Sequence, residues 1–271
     1  MTIKRRPRVL RPLAELVSLS GKRALITGAA AGIGRAMAYR FAEAGADLEL
    51  ADINAKGLGA VKKELQTFNH EVNIHKVDIS SPKAINALWE GLCGKEPDIL
   101  VNNAGVYPFK SFLETDESFL KKVMDINLQS AVRMCRHMIK SRLKKGGVII
   151  NISSIEAIMP FAEGLVAYDI SKTGVIGLTR ALAKEYGKHG FRINVILPGG
   201  INTPGTRAVA KEISQFKFSL LKTGYDFKAR LPMNRGGQPD EVARVALFLA
   251  SDLASYVHGA LVAVDGGFLS A

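Results

Sequence analysis

Seven short runs of aliphatic and β-branched residues alternate along this chain with segments of helical periodicity, and no other feature restricts its fold as much. The runs fall at 23–27, 48–51, 72–77, 99–102, 148–152, 192–197 and 261–264, and the helical patterns at 33–43, 55–68, 84–92, 119–142, 167–186 and 240–250. Strands separated by a helix cannot close a tight hairpin, so they pair in parallel through crossover connections. The expectation is therefore an α/β fold built from repeated βαβ units around a parallel sheet. The alternation runs on without a Pro-, Gly- or Ser-rich linker, an internal repeat or a low-complexity tract. Residues 21–271 accordingly read as a single domain behind a basic N-terminal extension, residues 1–20. Only 200–235 has no evident place in the sheet; it reads as a substrate loop, helix-compatible over 208–221.

Composition narrows the function classes. Apolar residues make up 47% of the chain and charged residues 23%, ordinary values for a folded globular protein. No apolar run approaches the roughly 18–20 residues that cross a bilayer, and the first segment lacks the apolar core of a secretory signal, so the expectation is a cytoplasmic protein without a membrane partner. Cys93 and Cys135 are too few for a disulfide framework, and neither they nor the scattered His70, His75, His137, His189 and His258 have metal-ligand spacing, so no metal is expected.

The formal charge is +12, with the excess concentrated in two places. Lys4, Arg5, Arg6, Arg8 and Arg11 face only Glu15, while Arg207, Lys211, Lys217, Lys222, Lys228 and Arg230 face Glu212 and Asp226. A solvated surface accounts for both segments. Nucleic acid is not the expected partner, because the N-terminal segment has no aromatic side chain on which bases could stack. The second segment could instead attract a polar or anionic substrate.

Between the first strand and first helix the chain reads Thr27-Gly28-Ala29-Ala30-Ala31-Gly32-Ile33-Gly34. Glycines there let the backbone approach a pyrophosphate, while the free N–H groups and the dipole at the helix start stabilise the anion; close packing alone would also use such glycines. About twenty residues on, Asp52 ends the second strand, where a carboxylate can bond an adenosine ribose or cap the next helix. An acid there repels a 2′-phosphate, and Ala31 supplies no cation to hold one, so NAD is expected over NADP. Arg35, inside the helix, reads as solvated. Tyr168 and Lys172 stand four apart on one helical face. Such a pair is commonly only a surface contact, but an ammonium there, with an oxidised nicotinamide, would draw the phenol pKa from about 10 toward neutrality.

Taken in order, Thr27-Gly28-x-x-x-Gly32-Ile33-Gly34, Asn102-Asn103-Ala104-Gly105, Asn127, Ser153-Ser154, Tyr168-x-x-x-Lys172 and Pro198-Gly199 resemble the classical short-chain dehydrogenase/reductase family from Gly21 to Gly267. The resemblance implies a Rossmann-like, doubly wound parallel sheet of about seven strands with helices on both faces. It implies a nucleotide site at Gly28, Gly32, Ile33, Gly34, Asp52, Asp78, Ile79, Asn103, Ala104, Gly105, Pro198, Gly199 and Thr203, together with Tyr168 and Lys172. Catalysis would rest on four residues. Tyr168 exchanges the alcohol proton, Ser154 bonds the substrate oxygen, Lys172 lowers the Tyr168 pKa and binds the nicotinamide ribose, and Asn127 holds a water on the proton path. Similar proteins form homo-oligomers, tetramers or dimers, and the stripe Val175, Leu178, Leu182 and Tyr186 would serve that or the core equally.

Two features depart from the pattern. The interval from Ser154 to Tyr168 is one residue longer than usual in similar sequences, which leaves Ser153 as the rival catalytic serine. Glu156-Ala157 replaces small residues near the substrate; Glu156 could reach the pocket, but carboxylates are rarely buried unpaired, so it is expected to be solvated. The function expected is NAD-dependent interconversion of a secondary alcohol and a ketone on a sugar, polyol or small hydroxy compound. The alternatives are a 3-oxoacyl thioester reductase and a catalytically silent nucleotide sensor or scaffold.

Overall fold

A computed structural model describes residues 10–206 and 229–271. Within them, β1 (Arg23–Thr27), β2 (Asp47–Asp52), β3 (Val72–Lys76), β4 (Ile99–Asn102), β5 (Gly147–Ile152), β6 (Phe191–Pro198) and β7 (Leu261–Val264) form one sheet in the order β3-β2-β1-β4-β5-β6-β7. Every pairing is parallel. The sheet is the doubly wound, single-domain arrangement expected from the alternation.

Its helices are α1 (Leu13–Val17), α2 (Gly32–Glu43), α3 (Ala55–Leu65), α4 (Pro82–Gly91), α5 (Glu117–Met124), α6 (Ser130–Arg142), α7 (Val166–Tyr186) and α8 (Pro239–Ala250). Because side chains alternate along a strand, each central strand feeds two cores. Ala24 and Ile26 of β1 join Met37 and Phe41 of α2 and Val242 and Ala246 of α8 on one face. Leu25 of the same strand joins Trp89 of α4 and Met134 and Met138 of α6 on the other. Strands buried on both faces are why the sequence shows unbroken aliphatic runs rather than alternation.

The chain winds outward from β1 to β3 and then crosses back to β4 on the opposite flank of β1. Connections leaving the carboxyl ends of β1 and β4 diverge there, opening the crevice in which such sheets take ligands.

Three local expectations need correction. The 119–142 helix is interrupted by a π-helical turn, Asp125–Gln129, where Ser130 N–H reaches back to the Asp125 carbonyl. The 55–68 helix ends at Leu65 and continues as a 3₁₀ turn, Gln66–Phe68, before Asn69 adopts a left-handed φ of 54°. The first-twenty-residue segment contains α1, beside which Arg11 bonds Asp252 at 2.8 Å. The basic residues Lys4 to Arg8 and Arg207 to Lys228, and the 208–221 helix-compatible stretch, lie outside the described residues.

Candidate active site

The glycine turn after β1 is shaped by contacts that admit no side chain. Gly28 has φ of +68°, and a Cβ on Gly34 would stand 2.1 Å from the Gly28 carbonyl oxygen and 2.6 Å from Asn103 Nδ2. Asn103 fixes the turn from β4, donating Nδ2–H to the carbonyls of Thr27 (2.9 Å) and Gly28 (3.2 Å). Thr27 Oγ1 in turn accepts from the N–H groups of Asn103 (3.0 Å) and Ala104 (3.1 Å). At the start of α2 the N-cap is Ala31, which offers no side-chain acceptor, and the first turn carries no acid. The N–H groups and positive dipole end of α2 are thus left for an anion.

This turn opens on a cavity of about 420 Å³ lined by Gly28, Gly32, Ile33, Asp52, Asp78, Ile79, Asn103, Ala104, Gly105 and Thr203. Asp52 Oδ2 accepts from Ala30 N–H at 3.0 Å and Oδ1 from Asn54 N–H at 2.8 Å. Capping of α3 falls to Asn54, whose Oδ1 accepts from Gly57 N–H, and not to Asp52. Arg35 is ion-paired with Glu64 at 2.8 Å. A glycine cradle, an uncapped helix start and a ribose-depth carboxylate fit a dinucleotide.

An adjoining cavity of about 570 Å³ shares Ile33, Asn103, Gly105, Val106 and Thr203 and adds Tyr107, Ser153, Ser154, Glu156, Phe161, Tyr168, Lys172, Pro198 and Gly199. Gly199 lies where β6 approaches β7, its N–H bonded to the Val264 carbonyl, and a Cβ there would stand 2.8 Å from Asp265 Cα. A larger groove of about 710 Å³ lies outside α2; it holds Arg35 and Asp240, both ion-paired, and none of Ser154, Tyr168 and Lys172.

Tyr168 and Lys172 share one face of α7 as their spacing requires, and both are buried. Lys172 Nζ donates to the Ile152 carbonyl at 2.9 Å and stands 5.7 Å from the Tyr168 ring centroid. Ser154, the N-cap of a 3₁₀ turn, accepts from Glu156 N–H at 3.2 Å and hydrogen-bonds the Tyr168 phenol. Ser153 Oγ instead donates to the Lys172 carbonyl at 2.7 Å, which ties β5 to α7. Asn127, in the π turn, accepts from Val106 N–H at 2.8 Å and donates to the Val106 carbonyl and Ser171 Oγ. Gly105 keeps the space open, since a Cβ there would stand 3.1 Å from Asn127 Oδ1 and 3.3 Å from Lys172 Nζ.

Burial governs the protonation of these groups. It lowers Lys172 to about 8. It raises Tyr168, an effect the Ser154 bond opposes and the charges of Glu156 and Asp169 reinforce. The drift toward neutrality expected for Tyr168 is therefore not produced by the groups among the described residues: Lys172 is committed to a backbone carbonyl and itself disfavours its charge.

Glu156 also corrects the sequence reading. It is 1% exposed, not solvated, and burial lifts its carboxyl to about 7 despite the Phe161 N–H bonded to Oε2 at 3.0 Å. Sequence reasoning missed Tyr107, whose ring meets Tyr168 edge-on at 4.6 Å, and Ser171, which links Asn127 to the Tyr168 carbonyl. Tyr107 lies in a loop with no periodicity to place it; Ser171 is adjacent to Lys172 and could have been suspected on that ground. Among the described residues no group of three or more His, Cys, Asp or Glu is placed to hold a metal ion.

The family model described as Enoyl-(Acyl carrier protein) reductase matches residues 28–269. A 3-oxoacyl-(acyl-carrier-protein) reductase from Thermotoga maritima is 34% identical over 254 residues, 93% of this chain and 99% of that protein. Among solved structures, a short-chain type dehydrogenase/reductase from Mycobacterium marinum is similar at a TM-score of 0.85 and 28% identity, over 94% of this chain and 98% of that one. A structure described as an NAD(P)-dependent gluconate 5-dehydrogenase from Beutenbergia cavernae, with bound NADP at low occupancy, is similar at a TM-score of 0.86 and 32% identity, over 94% of this chain and all of that one.

Proposed function

The chain belongs to the short-chain dehydrogenase/reductase family and is an oxidoreductase of CH–OH groups; on that premise we propose that it interconverts a secondary alcohol and a ketone with NAD, on a sugar, polyol or small hydroxy compound. The observation that carries this reading is the common wall on which Ser154, Tyr168 and Lys172 meet, next to the glycine cradle. A nicotinamide dinucleotide held by the cradle supplies the hydride acceptor for oxidation and the hydride donor for reduction.

Tyr168 is the acid–base group. Its Oη takes the alcohol proton during oxidation and returns one to the carbonyl oxygen during reduction. Ser154 Oγ bonds the same substrate oxygen, giving its developing charge a fixed partner. Lys172, when protonated, favours the phenolate and holds the nicotinamide ribose. Asn127 orders the proton path from Lys172 toward solvent, and its ties to Val106 and Ser171 fix its orientation. Asp52 bonds the adenosine ribose and disfavours a 2′-phosphate, while Arg35, half-exposed, is ion-paired with Glu64.

Reduction of a 3-oxoacyl thioester is the second reading, favoured by the relative from Thermotoga maritima. A homo-oligomer, tetramer or dimer, is further proposed from the exposure of Val166 (40%) and Ile170 (49%) on α7; sedimentation as a monomer at working concentration would count against it. No helix among the described residues is long and apolar enough to cross a membrane, and a cytoplasmic location remains part of the proposal. The test is nicotinamide absorbance with NAD or NADP and a panel of sugars, polyols, hydroxy acids, steroids and 3-hydroxyacyl thioesters. Faster turnover of a polyol or sugar with NAD is expected; selective turnover of the thioesters with NADP would replace this reading with the second.

A further inference from the structure

Among the described residues two carboxylates are 1% exposed, and the fold holds them by different means. Glu49 is met by Arg23 at 2.6 Å and by Asn73 and His75 on the neighbouring strand. Glu156 is held by neutral donors: Phe161 N–H on Oε2 at 3.0 Å, the Ala162 N–H and the Tyr107 hydroxyl. A carboxyl buried in this way persists only where such donors converge on it. Here they come from two loops beside the substrate cavity, Tyr107 from the one after β4 and Phe161 and Ala162 from the one between β5 and α7.

These ties reach the reacting groups from both sides. The N–H of Glu156 donates to Ser154 Oγ at 3.2 Å, and the ring of Tyr107 meets Tyr168 edge-on at 4.6 Å. Ser154 and Tyr168 stand on different elements, the 3₁₀ turn after β5 and α7, yet must present Oγ and Oη to a single substrate oxygen. Glu156 bonds through its backbone to the serine and through its carboxyl to the aromatic residue that packs on the tyrosine. A second tie, Lys110 N–H to the Gly164 carbonyl at 2.9 Å, joins the same two loops by backbone alone. Both departures of the sequence from the family pattern, Glu156 and the extra residue between Ser154 and Tyr168, fall in this one feature.

We propose that Glu156 is a positioning residue for the reaction: its buried carboxyl clamps the loop after β4 to the loop before α7, and so holds the Tyr107 ring against Tyr168 while its N–H holds Ser154. It does not touch the substrate; it acts through Tyr107 and Ser154. The inference rests on the dehydrogenase reading above and adds a residue to its machinery. Misplacing a reacting group by about 1 Å costs on the order of 10²-fold in rate, so a clamp of this kind is felt in kcat. Binding of NAD, which the glycine turn and Asp52 carry in that reading, is outside its reach.

The test is oxidation of 1,2-cyclohexanediol with NAD by the parent, Glu156→Ala, Glu156→Gln, Tyr107→Phe and the double variant Glu156→Ala/Tyr107→Phe, with kcat taken per folded protein and KM for NAD measured alongside. Glu156→Ala is expected to lower kcat at least tenfold with KM for NAD unchanged within twofold. Glu156→Gln keeps an oxygen for Phe161 N–H and an amide that can donate to the Tyr107 hydroxyl, so kcat is expected to return to within threefold of the parent. Once the carboxyl is gone the Tyr107 hydroxyl has nothing to hold, so the double variant is expected to be no slower than Glu156→Ala, a non-additivity that a general loss of stability does not produce. If Glu156→Ala fails to fold, Tyr107→Phe decides, with kcat expected to fall about fivefold at unchanged KM for NAD. A folded Glu156→Ala protein, or in its absence Tyr107→Phe, with kcat within twofold of the parent overturns the assignment and leaves the dehydrogenase reading intact, as does a glutamine variant as slow as the alanine one. Absence of any oxidation by the parent overturns both.

Discussion

Burial drives the ionisable groups around Tyr168 toward their neutral forms, and this has consequences for stability at single residues. Glu156 has its carboxyl raised to about 7 chiefly by desolvation, with Tyr107, Tyr168 and Asp169 facing it. A carboxyl whose folded pKa lies above its unfolded value binds more protons in the native state, so stability is lost as pH rises from about 4.5 through 7. Glu156→Gln removes that loss: its Tm relative to the parent is expected to be higher at pH 8 than at pH 5, and an equal difference at both would contradict the assignment. Lys172, lowered to about 8, works in the opposite sense, since its ordinary value is higher and the fold gains stability as pH rises through that interval. Lys172→Met should therefore raise Tm by a few degrees while lowering kcat/KM roughly 10²-fold or more, the trade expected where an active site retains a buried cation that has no carboxylate partner among the described residues. A destabilised Lys172→Met protein would show that the ammonium helps hold the fold.

At the scale of elements, the turn from β1 into α2 makes the sharpest demand. Gly34→Ala places a methyl group against the Gly28 carbonyl, which must shift and take Asn103 and β4 with it. The expected cost is about 1–3 kcal/mol, as for other overpacked sites, and NAD binding measured by calorimetry should weaken at least tenfold. An alanine variant binding NAD as tightly as the parent would contradict the cradle. All seven strands, and most of the helices around them, were legible because a two-sided parallel sheet imposes aliphatic runs at helix-length intervals. The π turn at Asp125–Gln129 was not, since it is held by Asn127 bonding Val106 and Ser171, contacts remote in sequence. The same holds within the site. Glycines, Asp52 and the Tyr168–Lys172 spacing are local patterns, whereas the burial of Glu156 and the Tyr107–Tyr168 ring contact exist only once β4, β5 and α7 have been assembled.

For the molecule as a whole, the sheet order brings the ends of β1, β4, β5 and β6 to one edge, so that the glycine turn and Tyr168 adjoin across shared walls. The formal charge of +12 has its excess concentrated in two segments of the sequence, 1–20 and 207–230. It is expected to affect encounter with charged ligands, and so to appear in salt dependence, more than the chemical step. The account stands or falls on whether Tyr168 moves the proton that accompanies hydride transfer. The direct test is the initial rate of NAD reduction by parent and Tyr168→Phe proteins, at saturating NAD and with the best alcohol from the panel. Phenylalanine keeps the ring against Tyr107 and removes only the hydroxyl. A fall of roughly 10²–10⁴-fold in kcat/KM, with NAD affinity retained, is the predicted result; a variant as active as the parent would contradict it.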